Sequence, residues 1–303
     1  MTVVTTLTTA ASKPVVSIIG IGNMGGGIAT NLLQRGYPVQ VHDIDASKVA
    51  FYVSKGAVGH IQYAQAAIKI IVTIVCVVDA EQTHEVLFGA TGIARSLPVG
   101  HAVMLCPTIA PEDIECIAER LTNQGVDCID APMSGGPARA ADGSMSLMVA
   151  CLDAVFAQHS ALLNDVSSLV FRISQRPGDG ARTKLVNNLL AGINLAGAAE
   201  CLALAERMGL NLATTLAVIE QSSGQSWIGS DRMRRALAGD TTARAYASLL
   251  AKDTRLAMAA AHAVGYAPPV AQQASAQFSQ ALASGLGQQD DSTLFGLERK
   301  RSA

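Results

Sequence analysis

Three glycines constrain this 303-residue chain more than any other feature. They stand as Gly20-Ile21-Gly22-Asn23-Met24-Gly25, between segments of different period. Pro14 to Gly20 (PVVSIIG) is a β-branched apolar run of strand length. After the glycines an apolar helical period runs to Arg35 and is stopped by Gly36. Val39-Gln40-Val41-His42-Asp43 then reads as a second short strand. Strand, glycine turn, helix and strand make a βαβ unit. In such a unit Gly20 permits the tight turn, Gly22 lets the backbone approach a pyrophosphate, and Gly25 lets the helix sit against the sheet. The free N–H groups and positive dipole end of the helix face the phosphates. Gly20, Gly22, Asn23, Met24 and Gly25 are therefore the expected phosphate-binding turn. A glycine-rich turn with no ligand is the alternative, and the strand–helix context weighs against it.

Asp43 closes the second strand at close to the ~20-residue distance at which a carboxylate accepts hydrogen bonds from an adenosine ribose. Ile44 follows, where a binder of a 2′-phosphate favours a basic residue. The expected cofactor is thus NAD rather than NADP. Asp45 is expected to cap the next helix, Asp45-Ala46-Ser47-Lys48.

The alternation continues along the chain. Lys69 to Val78 (KIIVTIVCVV) is the continuous apolar run of a strand buried on both faces. His101 to Leu105, Val126 to Ala131, Leu147 to Cys151 and Ser168 to Ile173 are further strands, with a helix over Pro111 to Gln124. At Arg176-Pro177-Gly178-Asp179-Gly180 proline and glycine break both periods. Beyond it, helices are expected over Thr183 to Met208, Leu212 to Ser222, Ile228 to Leu237, Tyr246 to Val264 and Pro269 to Ser284, and no strand. The predicted architecture is a Rossmann-type doubly wound α/β domain over 14–176 followed by an all-helical domain over 177–303, with a short mobile extension at 1–13.

Composition narrows the partners. Lys+Arg is 22 against 24 Asp+Glu, and aromatics are 4% of residues, so there is no basic, aromatic surface of the kind nucleic acid or an anionic membrane requires. No stretch approaches the ~18 uninterrupted apolar residues of a membrane span, and no secretory signal is recognisable at Met1 to Lys13. Cys76, Cys106, Cys116, Cys128, Cys151 and Cys201 contain no C-x-x-C pair and read as reduced, buried thiols of a cytoplasmic protein. No Cys/His spacing suggests a metal site.

Two later motifs join the glycine turn. One is Asp130-Ala131-Pro132-Met133-Ser134-Gly135-Gly136, with Gly143 downstream; the other is Gly180-Ala181-Arg182-Thr183-Lys184-Leu185-Val186-Asn187-Asn188. With these, the chain resembles the β-hydroxyacid dehydrogenase family over roughly Val15 to Leu297. Ala80-Glu81-Gln82-Thr83, Val86 to Gly89, Ser134 to Ala141, Ser226-Trp227 and Asp290-Asp291-Ser292 resemble most its L-threonate dehydrogenase-like subgroup. The resemblance implies an NAD-binding Rossmann domain and a helical domain like the C-terminal one of 6-phosphogluconate dehydrogenase. It also implies a small carboxylate substrate and a homo-oligomer, dimer or tetramer. Many members have Ser-Thr where this chain has Pro107-Thr108, so a contact usually made by the serine hydroxyl must be supplied otherwise.

The Ser134-Gly135-Gly136 turn presents consecutive N–H groups and a hydroxyl, a concavity suited to a substrate carboxylate. Lys184 and Asn188 are one turn apart on one helix and share a face; Asn187 points elsewhere and is expected to stabilise neighbouring backbone. The bland reading of Lys184 is a solvated surface lysine. The resemblance makes it the catalytic general acid/base, with Asn188 holding the reacting oxygen or orienting the lysine. It also implies cofactor contacts at Val77, Val78, Thr108 and Lys252, although Lys252-Asp253 reads equally as an ordinary solvated ion pair. Trp227 either walls the substrate pocket or packs in the core. The implied reaction is NAD-dependent oxidation of a small β-hydroxy acid, L-threonate or a related sugar acid first, with 3-hydroxyisobutyrate oxidation or tartronate semialdehyde reduction as alternatives. A non-catalytic NAD-sensing module is the reading of another class, but it has no need of Lys184, Asn188 and the Ser-Gly-Gly turn together. Imine reduction uses the same two-domain plan with the lysine replaced.

Overall fold

The structure is a computed structural model and describes residues 13–60 and 70–301. Of the expected extension only Lys13 lies among them. Its ammonium pairs with Asp165 at 3.0 Å and stands 4.2 Å from the centre of the Tyr37 ring.

β1 (Val15–Ile19) passes through the glycine turn into α1 (Asn23–Gln34) and β2 (Val39–His42). α2 (Ala46–Val53) is capped by Asp45, whose side chain accepts from the Ser47 amide. β3 (Val58–Gly59), β4 (Ile70–Val75), α3 (Ala80–Phe88), β5 (Ala102–Leu105), α4 (Pro111–Thr122) and β6 (Asp127–Asp130) follow. Then come β7 (Met133–Ser134), α5 (Gly136–Asp142), β8 (Ser146–Ala150), α6 (Asp153–Val166) and β9 (Leu169–Ser174). The strand expected through Val78 stops at Val75. Beyond Cys76 the chain must turn so that Asp79 can cap α3 by accepting from the Gln82 amide; Lys69, where that strand was expected to start, lies outside the described residues.

Among the described residues the strand order is β3-β2-β1-β4-β5-β6-β8-β7, with β9 beside β8. Strands β1 to β6 pair in parallel. β8 runs antiparallel to β6 and β7, so the sheet is mixed where a parallel one was expected. Helices cover both faces. Ile28 and Leu32 of α1, Ala140 of α5 and Leu162 of α6 pack on one side; Leu87 of α3 and Ile114 and Ile117 of α4 pack on the other. Apolar strands such as Ala102–Leu105 are buried along their whole length because both faces are covered.

α7 (Asp179–Arg207) follows β9 and is the spine of the helical half. It begins four residues before the expected Thr183, because the Asp130 carboxylate accepts from the Gly178 and Ala181 amides and supplies the cap that the local sequence lacks. α8 (Leu212–Glu220), α9 (Trp227–Leu237), α10 (Ala247–Ala263), α11 (Pro269–Ala283) and α12 (Thr293–Arg299) follow, the last without a counterpart in the sequence reading. Their core gathers Leu195, Leu202, Met233, Phe278 and Leu294. By length and composition α7 could cross a membrane, but its buried side is packed into this core. Just before α12, Asp290 pairs with Arg235 at 2.9 Å and Asp291 with Arg232 at 2.6 Å, tying the segment to α9.

One expectation about side chains needs correction. All six cysteines are free, but Cys116 and Cys201 are exposed, on the outer sides of α4 and α7. The close packing of α1 also extends beyond Gly25: a Cβ at Gly27 would stand 2.6 Å from the Ala140 Cβ. Gly27→Val forces α1 and α5 apart and should lower stability by about 1–3 kcal/mol, read as a lower Tm in thermal unfolding.

Candidate active site

The C-terminal ends of β1, β4, β5 and β6 form one edge of the sheet, and the glycine turn lies along it. Gly20 has φ +83°, a backbone conformation that side-chain-bearing residues rarely adopt, and a Cβ there would stand 2.8 Å from the Cys76 carbonyl oxygen. A Cβ at Gly25 would overlap the Gly20 carbonyl and stand 3.0 Å from the Cys76 Cβ. Gly22 differs: a Cβ there meets nothing within 4 Å. The turn is thus tight on the protein side and open on the other, at the start of a helix whose cap residue brings no side chain. Such a cradle suits a pyrophosphate. Asn23 is exposed and Met24 half-buried beside it.

Asp43 stands next to the turn. Its Oδ2 accepts from the Ile21 amide at 2.9 Å and its Oδ1 from the Asp45 amide at 2.9 Å. The carboxylate is therefore held in place by two backbone amides. Ile44 is 98% exposed beside it and presents no charge.

Val77 and Val78 lie in the turn after β4. The Val78 carbonyl accepts from the Lys252 ammonium at 3.1 Å, and the Thr108 carbonyl, after β5, accepts from the same ammonium. Lys252 also pairs with Asp253 at 3.2 Å. The pair is not solvated: Asp253 is buried and Lys252 largely so. Lys252 is thus a strut between α10 and the strand ends along which the turn lies.

α7 carries the other candidate groups. Lys184 is 7% exposed. Burial pushes its ammonium down from the ordinary lysine value to about 8, with Asp253 opposing and Lys252 adding to the fall. One turn on, the Asn188 amide donates to Asp253 Oδ2 at 2.6 Å, and the Asn188 oxygen accepts from Asn187 at 3.0 Å. Asn187 therefore orients Asn188 rather than backbone. Hydrogen bonds link Asn187 to Asn188 and Asn188 to Asp253, and an ion pair links Asp253 to Lys252, which fixes the face shared with Lys184. Asp253 is the member that sequence reasoning missed; a carboxylate in the Ala/Leu-rich face of α10 was the available signal.

Ser134 closes β7 opposite Ser146. Gly135 and Gly136 follow at φ +139° and +79°, so the chain reverses where a side chain would strain it. This leaves a half-buried hydroxyl and a bare loop beyond the sheet edge. Trp227 is 55% exposed at the start of α9 and borders a surface cavity of about 430 Å³ with Glu220, Gln225, Asp231 and Arg234. None of the other candidate residues lines that cavity.

Comparison with known proteins matches these two halves separately. Residues 15–174 match the NAD-binding domain of 6-phosphogluconate dehydrogenase. Residues 178–297 match the NAD-binding domain of NADP-dependent 3-hydroxyisobutyrate dehydrogenase. L-threonate dehydrogenase of Escherichia coli K12 is 36% identical over 92% of this chain and 93% of its own. 3-Hydroxyisobutyrate dehydrogenase of Pseudomonas aeruginosa is 32% identical over 87% of this chain and 91% of its own. The crystal structure of a 3-hydroxyisobutyrate dehydrogenase from Salmonella typhimurium superposes with a TM-score of 0.88 at 35% identity, covering 94% of this chain and all of that one.

Because Asp253 holds the lysine proton on, its removal has a definite sign. Asp253→Asn should move the Lys184 titration below about 8, measured as the pH dependence of reductive methylation at that lysine.

Proposed function

Since the chain belongs to the β-hydroxyacid dehydrogenase family, we propose that it oxidises a small β-hydroxy acid with NAD, an L-threonate-like sugar acid being the lead substrate. The observation that carries this reading is Lys184, a lysine buried at the start of α7 and held near pH 8. A group near that value can exchange protons in the neutral range. The family and the 36% identity to an L-threonate dehydrogenase support the substrate class. The uncharged Ile44 beside Asp43 supports NAD over NADP.

The glycine turn and Asp43 hold the dinucleotide, and Val77, Val78 and Thr108 line its path along the strand ends. Once bound, the nicotinamide supplies a hydride acceptor. Everything else falls to the chain. Ser134, Gly135 and Gly136 take the substrate carboxylate. Neutral Lys184 accepts the proton of the hydroxyl as the carbon gives up its hydride, and in reduction the ammonium returns it. Asn188, held by Asp253 and Asn187, steadies the reacting oxygen. Burial that favours the neutral lysine makes it a competent base. A passive NAD-sensing module would have no use for that buried amine. The substrate panel that tests this reading holds L-threonate, 3-hydroxyisobutyrate and tartronate semialdehyde, the last two kept although Pro107 replaces the serine of many members.

We further propose that two or four copies assemble through α7, in the cytoplasm, where free thiols persist. Val186, Leu190 and Leu204 are 71%, 57% and 57% exposed. With Gly197, Cys201 and Met208 they follow helical spacing as one stripe. An apolar stripe of that length needs a partner face.

Three outcomes are expected. Lys184→Ala lowers kcat by at least ~100-fold in steady-state assays while NADH binding, read by fluorescence titration, survives; near-normal turnover removes the assignment. For wild-type oxidation kcat/KM rises with pH and levels off above about 8, because only the neutral amine can take the proton. Leu190→Glu with Leu204→Glu lowers the mass seen by light scattering; an unchanged mass rules the stripe out as the interface.

A further inference from the structure

Asp130 has no part in the mechanism above, yet it lies between the two parts that must meet the substrate. It ends β6, four residues before Ser134, and is fully buried. Its Oδ2 accepts from the Gly178 amide at 2.7 Å and the Ala181 amide at 3.1 Å. These amides open α7, and Lys184 stands one turn beyond Ala181. The helix has no side-chain cap of its own, since Gly178 is the cap residue. The fit around the carboxylate is close: a Cβ at Gly180 would stand 2.9 Å from Asp130 Cγ and 2.8 Å from the Met148 carbonyl oxygen. A carboxylate accepting amide hydrogen bonds at a helix N-terminus is a strong, directional anchor.

We propose that Asp130 is a positioning residue: by gripping the first amides of α7 it fixes where the Lys184 amine stands relative to the Ser134 loop. Resting on the assignment of Lys184 as the proton-transfer group, the proposal goes beyond it by naming what sets that group's place. The lever is short. Ser134 continues the strand that Asp130 ends, and Lys184 continues the helix that Asp130 starts, so one carboxyl group references both. Misplacing a reacting group by about 1 Å can cost on the order of 100-fold in rate. The groups around Asp130 do not compete for the same amides. Asp179, on α7, pairs with Arg176 and Arg182. Cys128, on β6 itself, and Cys106 and Cys151, just beyond β5 and β8, are buried thiols whose proton affinities are raised, for Cys106 first by its hydrogen bond with Cys76 and for Cys128 and Cys151 first by desolvation. Asp130 itself is pushed up to about 7 by burial, against the pull of its amide partners. Its Oδ1 has no partner, so a proton can settle there while Oδ2 keeps its grip, more weakly.

The test reads Lys184 without needing a substrate. Its amine is labelled by reductive methylation across pH, and the labelling midpoint is found by peptide mass spectrometry. In wild type the midpoint is near 8. In Asp130→Ala the first turn of α7 loosens, Lys184 gains solvent, and the midpoint should rise toward the ordinary lysine value. Asp130→Asn keeps an acceptor oxygen for both amides and should return the midpoint to near 8. On whichever acid of the panel wild type oxidises, Asp130→Ala should lose roughly 10-fold or more in kcat with NADH affinity within about threefold, and Asp130→Asn should recover most of it. A midpoint still near 8 in Asp130→Ala overturns the proposal, as does an asparagine variant no better than the alanine one. Should Asp130→Ala not fold, hydrogen exchange in wild type decides. After correction for intrinsic rates, protection of the Gly178 and Ala181 amides should fall about fivefold between pH 8 and 6, as charge-assisted bonds become neutral ones; flat protection rejects it. Failure of every acid in the panel would instead sink the dehydrogenase reading and leave the labelling and exchange results standing.

Discussion

The whole arrangement depends on α7 beginning at the C-terminal edge of the sheet. A helix of 29 residues that starts beneath the strand ends must do two things at once. Its first turns close the place where the strands deliver their loops, and the rest of its length supplies the surface on which α9, α10, α11 and α12 pack. Lys184 belongs to the first part and Leu195 to the second. Burial of Lys184 follows from this position: the sheet edge, α10 and the helix itself surround the amine, and the missing water weakens its hold on a proton.

Polar contacts tie the two halves together, beside the apolar packing of Ala181 of α7 into the core around Ile114 and Ile117. Lys252 reaches from α10 to the carbonyls of Val78 and Thr108, Arg182 of α7 pairs with Glu115 of α4 at 2.8 Å, and β6 grips the start of α7. Interfaces of this kind hold orientation well and yield to modest motion. That would suit the proposed cleft, with a dinucleotide along the strand ends and an acid against the Ser134 loop. The tight face of the glycine turn, where added Cβ atoms at Gly20 and Gly25 collide with neighbouring backbone, cannot move in the same way. One wall of the cleft is therefore rigid, and the other is pinned at a few points.

Much of this was legible beforehand where the signal was local. The turn at Gly20 to Gly25, the cap at Asp45, the breaks around Gly178 and the long helix carrying Lys184 all come from patterns within a few residues. What escaped depended on distant partners. Asp253 reads as half of a solvated ion pair until α10 is laid against α7, and then it proves to hold Asn188. Asn187, expected to brace backbone, braces Asn188 instead. Trp227, which reads from the sequence as pocket wall or core, borders a surface cavity beside Arg234.

The amino-acid sequence alone determined the glycine turn between β1 and α1, the strand–helix alternation that follows it and the helices from α7 to α11, because backbone preferences and apolar period act over short distances. The tertiary structure decided that β8 runs antiparallel, that α7 starts at Asp179 rather than Thr183, and that Lys184 titrates near 8 rather than as a surface amine. Each of these depends on groups far apart in the chain: β6 against β8, Asp130 beneath α7, Asp253 and Lys252 beside the amine. Desolvation and charge act through space, and only folding sets those distances.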